Sequence, residues 1–116
     1  MKIISQMEKH HNEVRAILIS ILESEKLGFK PFKIDLDICY YPFHRKIALS
    51  INETLKNGNT MTVLFSKIES SVFNTNYSQD FLDLIATNPI GTQELLERIY
   101  KELVSMSVKY QIKGQI

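Results

Sequence analysis

The residues of this chain with reactive or metal-binding side chains are few: one cysteine, Cys39, and three histidines, His10, His11 and His44. Cys39 and His44 could in principle supply a thiol nucleophile and the imidazole base that activates it. A lone cysteine between Ile38 and Tyr40 reads instead as a buried packing residue. His10 and His11 are neighbours on a predicted helix, so their rings leave it in divergent directions. There is neither an i, i+4 histidine pair nor a Cys-x-x-Cys, and no metal is expected. A nucleotide-binding phosphate loop needs Gly-x-x-x-x-Gly-Lys-Ser/Thr. Gly28, Gly58, Gly91 and Gly114 lie too far apart for it, and none precedes a lysine. No cofactor and no catalysis are expected in this segment.

What remains is the stretch Tyr40-Tyr41-Pro42-Phe43-His44-Arg45-Lys46-Ile47. Pro42 suits a first helical turn, where its missing amide costs nothing. At that helix start His44 is expected to anchor a backbone carbonyl or a carboxylate, and Arg45 to clamp Asp35 or Asp37. Tyr40 and Tyr41 read as core or rim aromatics. Lys26, Lys30 and Lys33 form a small basic cluster, read as a solvated face, with an acidic partner or phosphates as the alternative.

The elements that position these residues follow from apolar spacing. Ser5-Gln6-Met7-Glu8 reads as a capping box. Behind it Val14, Ile17, Leu18, Ile21 and Leu22 form one stripe of an amphipathic helix, closed by Gly28 in a left-handed cap. Residues 29–41 are a connector with one short turn at Asp35 to Ile38, since Pro31 bars a regular helix. From Pro42 a second helix turns Phe43, Ile47, Ala48, Ile51 and Leu55 inward and ends at Asn57-Gly58. A shorter helix from about Thr62 buries Val63 or Leu64, Phe65 and Ile68. Residues 70–78 read as a loop, with Val72 and Phe73 tucked down. Ser78 is expected to cap a brief helix carrying Phe81, Leu82, Leu84 and Ile85, stopped by Asn88-Pro89. Thr92 caps the last helix, whose main stripe is Leu96, Ile99, Leu103, Met106 and Tyr110. A second row, Val104, Val108 and Ile112, either joins a wide core contact or meets a partner.

Composition bounds the function. A chain of 116 residues makes one domain, with a core but little room for a deep catalytic cleft. Fourteen basic against thirteen acidic residues leave a net charge of +1, too little for strong phosphate contact, so DNA contact is expected to be weak or indirect. The single cysteine excludes an internal disulfide and fits a reducing, cytoplasmic setting. The apolar run from Ala16 to Leu22 is too short to span a bilayer.

Tyr40-x-x-x-His44-Arg45-x-Ile47 resembles the Tyr-x-x-x-His-Arg-x-Ile signature in the amino-terminal domain of DnaB-type replicative DNA helicases. The resemblance runs from about Glu13 to the end. Ala16-Ile17-Leu18 and Ile21-Leu22 stand where that family has Glu-x-Ala-Val-Leu-Gly-x-x-Leu, with Ile19 at the usual glycine and Glu13 one position early. Cys39 stands where a phenylalanine normally precedes the tyrosine. Gly58-Asn59-Thr60-Met61-Thr62 is similar to Gly-x-x-apolar-Asp, with Thr62 in the capping role. Ala86-Thr87-Asn88-Pro89-Ile90 resembles the turn before the final helix, and Ser107-Val108-Lys109 the run leading toward a dimerising hairpin. These departures mark a divergent member, from a plasmid, phage or distant bacterium.

The resemblance implies an all-α, compact orthogonal bundle of about six helices without ATPase activity, as the collar of a hexameric ring built as a trimer of dimers. It also implies docking of primase, a helicase loader as a further candidate partner, and a motor domain beyond Ile116. On this reading the chain is a fragment of a longer helicase. The alternatives are the helicase-binding carboxyl-terminal domain of bacterial primase and a stand-alone plasmid or phage replication adaptor.

Overall fold

The computed structural model describes the backbone of residues 2–72 and 76–114 and the side chains of 6–71 and 76–107. These residues form an all-helical bundle of six α-helices and no strand: α1 Lys2–Leu22, α2 Ser24–Leu27, α3 Pro42–Lys56, α4 Met61–Val72, α5 Ser78–Ile85 and α6 Gln93–Gly114. A 3-10 turn, Leu36–Ile38, breaks the connector between α2 and α3. No helix among the described residues is long and apolar enough to cross a membrane.

α1 is the central element and touches α2, α3, α4, α5 and α6. Its expected stripe is buried, but burial goes further: every residue from Ile17 to Leu22 is enclosed, Ile19 and Ser20 included. A helix covered on all sides needs its polar residues satisfied from within. The Ser20 hydroxyl donates to the Ala16 carbonyl at 2.6 Å and accepts from the Ile90 amide at 2.8 Å. It thereby ties the turn before α6 onto α1.

The local signals of the chain operate largely as expected. Gly28 and Gly58 take φ of 73° and 72°, the left-handed region open to glycine. Gly28, however, ends the short α2 and not the long first helix, which stops at Leu22, while Gly58 follows the end of α3. Phe43, Ile47, Ala48 and Ile51 are buried on α3, with Leu55 packed at the margin. Met61, Leu64 and Ile68 are buried on α4 and Phe65 partly, while Val63 faces out. Thr92 Oγ1 caps α6 by accepting from the Leu95 amide at 3.1 Å.

Three expected helix starts differ. α1 continues through Ser5 to Lys2, so Ser5 lies inside the helix and not at its start. Thr60, not Thr62, accepts from the first turn of α4, at the Val63 amide, because the helix begins one residue earlier. Tyr77 precedes α5 without a side-chain cap, and Ser78 is already helical. On α5, Phe81 and Leu84 are buried whereas Leu82 and Ile85 are exposed, as a short helix lying on one face requires. Phe73 and the side chain of Val72 lie outside the described residues.

The stripe of α6 is displaced from the expected one. Leu96 and Leu103 are fully buried and Ile99 partly, but Met106 is exposed and Ser107 takes its place inside. The reason is what α6 packs against. Its middle, from Tyr100 to Ser107, lies on the connector and its 3-10 turn, where backbone polar groups need partners. Ser107 Oγ donates to the Asp37 carbonyl at 3.1 Å, and the Tyr100 hydroxyl accepts the Asp35 amide at 2.8 Å.

Candidate functional site

The connector brings Tyr40 and Tyr41 against α1, and the result gathers all three histidines of the chain. The His10 ring lies flat on Tyr40, with centroids 4.3 Å apart and planes 6° from parallel. His11 lies in the same way on Tyr41, at 3.8 Å and 12°. A doublet on a helix thus stacks on a doublet in extended chain, and each histidine acquires an aromatic face. From α3, His44 closes the group at 6.2 Å from His11 and 5.3 Å from Tyr41, centroid to centroid.

His10 Nε2 lies 2.7 Å from the Ile38 carbonyl, which can only accept, so the proton sits on that nitrogen. His11 and His44 are different: each is nearly enclosed, and the Nδ1 of each finds no hydrogen-bond partner. Burial is the first cause that lowers the His44 pKa to about 4, followed by the positive charges of Arg15, His11 and His10. His11 is lowered by burial, then by His10 and Arg15. Both rings are neutral at neutral pH.

The signature residues therefore act as a structural staple whose parts differ from expectation. His44 Nδ1 anchors nothing; the imidazole that holds a backbone carbonyl is His10. Arg45 Nη1 donates to the Leu36 carbonyl at 3.2 Å, and the Asp35 carboxylate accepts the Asp37 amide at 3.0 Å. Ile47 is in the core. Tyr40 and Tyr41 remain 42% and 44% exposed, so they belong to the rim. The Cys39 thiol is buried and its pKa is pushed up to about 12, chiefly by burial, so no thiolate is available for nucleophilic attack. Among the described residues no three histidine, cysteine or acidic side chains come together in a way that could hold a metal ion.

Beside this corner a groove of about 640 Å³ runs between the amino-terminal half of α1 and the middle of α6. His10, Tyr40 and Leu103 line it, flanked by Met7 and Met106. Met7, at 48%, and Met106, at 44%, are among the most exposed large apolar side chains of the molecule, and they meet here. The rim is polar but balanced: Lys9 lies 3.9 Å from Glu13 one turn along α1.

Of the expected interface row, Val104 is half-buried and packs on the core, while the side chains of Val108 and Ile112 lie outside those described. The groove on the neighbouring face went unseen in the sequence because Met7 and Met106 are ninety-nine positions apart. The His10-His11 and Tyr40-Tyr41 doublets were the visible signal for the corner. Compared with known proteins, the chain matches no family model, no curated protein and no solved structure.

Proposed function

We propose that this domain is a non-catalytic scaffold that takes an amphipathic helix of a protein partner into the α1–α6 groove. The observation that carries the reading is the grouping of exposed Met7, Tyr40 and Met106 around one trough. Methionine side chains are unbranched and polarisable, so they mould to varied apolar surfaces. A trough between two helices accepts a third helix through residues at i, i+3 or i+4, and i+7. The Lys9–Glu13 pair leaves the rim without the excess positive charge that a nucleic acid needs.

In its most specific form, the partner is primase and the chain is the amino-terminal collar domain of a DnaB-type helicase, self-associating as dimers within a hexamer. That form rests on the Tyr40, His44, Arg45 and Ile47 signature. It is supported by the place of Pro42 at the first turn of α3 and by the Arg45 hold on the connector.

Titration with the helicase-binding domain of a bacterial primase tests both levels. Saturable binding that Met106→Glu weakens by about tenfold or more, with the helical signal intact, is the expected result. Binding that is indifferent to both Met106→Glu and Met7→Glu overturns the groove. No binding at any attainable concentration overturns the primase assignment.

A further inference from the structure

The groove and the histidine corner share a wall. Tyr40 lines the groove on one side and lies on His10 on the other, and His10 itself borders the groove. Behind them Tyr41 covers His11, and His11 faces His44. We propose that His11 and His44, packed beside His10, form an acid-operated latch: protonation of this buried pair drives Tyr41, and with it Tyr40, off the imidazole faces and so reshapes the groove wall. This rests on the groove being the binding surface, and it names the condition that controls it.

The physical argument begins with the two orphan nitrogens. His11 and His44 are 4% and 2% exposed, and neither Nδ1 has an acceptor to receive a proton. A proton arriving there therefore creates a buried charge without a hydrogen bond, which is costly. A single imidazolium stacked on a tyrosine face would be welcome, because the ring quadrupole attracts cations. The second one is not, because the ring centroids stand only 6.0 Å apart for His10–His11 and 6.2 Å for His11–His44.

The surrounding charges do not relieve this. α1 contributes Arg15, which also acts on both His11 and His44 with the same sign. That helix also carries two carboxylates, the exposed Glu8 and Glu13, which faces Lys9; neither is among the charges acting on His11 or His44. From the connector, Asp35 accepts the Asp37 amide and Cys39 stays a neutral thiol. From α3, Arg45 is turned to the Leu36 carbonyl and Lys46 lies over the Tyr77 ring. The charges acting on His44 are those of Arg15, His11 and His10, all of one sign. Of the parts of the corner, the tyrosine rings are the ones that reach solvent. Tyr41 caps α3 without a side-chain hydrogen bond, and both rings are already more than two-fifths exposed. Moving them admits water to the histidines while the helices stay packed.

The test follows the tyrosine rings by NMR on protein labelled with ¹³C in tyrosine, alongside far-ultraviolet circular dichroism, from pH 7.5 to pH 4. Tyr40 and Tyr41 are expected to lose their stacked chemical shifts in one step below pH 6.5 while the helical signal persists. His44→Phe, or His11→Phe should the first variant not fold, is expected to move that step at least tenfold in proton concentration toward acid. Rings that stay stacked to pH 4, or leave only together with the helical signal, overturn the latch. So does a step that neither variant moves. Met106→Glu, which disrupts the groove, is expected to leave the tyrosine step in place. A groove that binds nothing and a latch that does not open are therefore separate results.

Discussion

The connector from Lys30 to Ile38 and the corner from Tyr40 to His44 adjoin in sequence, yet they are held in opposite ways. The connector is irregular chain whose exposed peptide groups are met one after another by side chains. Gln93 pairs with both the amide and the carbonyl of Lys30, and Asn52 does the same for Ile34, at 2.8 and 2.9 Å. Tyr100, Arg45, His10 and Ser107 hold the amide or carbonyl groups of Asp35, Leu36, Ile38 and Asp37. In the corner the contacts are ring faces, and two buried nitrogens have no partner. Matched hydrogen bonds give one geometry and little response to solution conditions. Stacked neutral rings around orphan nitrogens give a geometry that depends on proton activity. Irregular backbone thus becomes rigid where donors and acceptors pair, and responsive where they do not.

Acid should break this comparison most strongly. The His44 pKa stands at about 4 when folded, against an ordinary 6.5, so the unfolded chain binds its proton first as the pH falls. Stability is therefore complete above pH 6.5, declines toward pH 4 and is then flat as far as this group is concerned. The loss reaches about 3 kcal/mol if the corner stays shut, and less if it opens. Urea midpoints at pH 7 and pH 4 measure it. His44→Phe should shrink the difference; an undiminished acid loss in that variant would place its source elsewhere.

Asn52→Ala attacks the other region. It leaves the amide and carbonyl of the buried Ile34 unpaired, at a cost of about 2 kcal/mol that does not vary with pH. Chemical denaturation at the same two pH values separates it from the histidine effect. A loss confined to acid would mean that the connector is not the pH-independent part.

What could be read in the chain beforehand divides along sequence distance. Val14 to Leu22 and Phe43 to Ile51 declared their helices through spacing, and Gly58 and Thr92 the limits of α3 and α6 through local geometry, because both signals act within a turn or two. The break after Leu22 that sets α2 apart was not declared. The corner and the hooks do not. His10 reaches Ile38 across 28 positions, and Ser20 reaches Ile90 across 70. Pattern also misled where it counted only apolar residues. Met106 fits the α6 stripe by spacing and Ser107 does not, yet Ser107 is inside, because the surface that α6 meets is a carbonyl. Tyr40, His44, Arg45 and Ile47 were identifiable as a unit, but the partners of Tyr40, His44 and Arg45 were not, since they lie on α1 or in the connector.

The smallest of these effects sharpens the connector's side of the comparison. The Tyr100 hydroxyl accepts the Asp35 amide at 2.8 Å and donates to the Lys33 carbonyl at 3.3 Å, while its ring packs on Phe32 with centroids 4.8 Å apart. Tyr100→Phe keeps the ring and removes the oxygen. Asp35 is only partly buried, so water can replace the lost acceptor for its amide, and the expected cost is about 1 kcal/mol. Asp35 also caps the 3-10 turn, so amide hydrogen exchange should quicken at Asp35 and Asp37 while the α3 core at Ile47 and Ile51 stays protected. Faster exchange across α3 as well would mean that the hooks support the whole bundle. Unchanged exchange at Asp35 would mean that the remaining hooks suffice, and that the connector's rigidity is a property of the set.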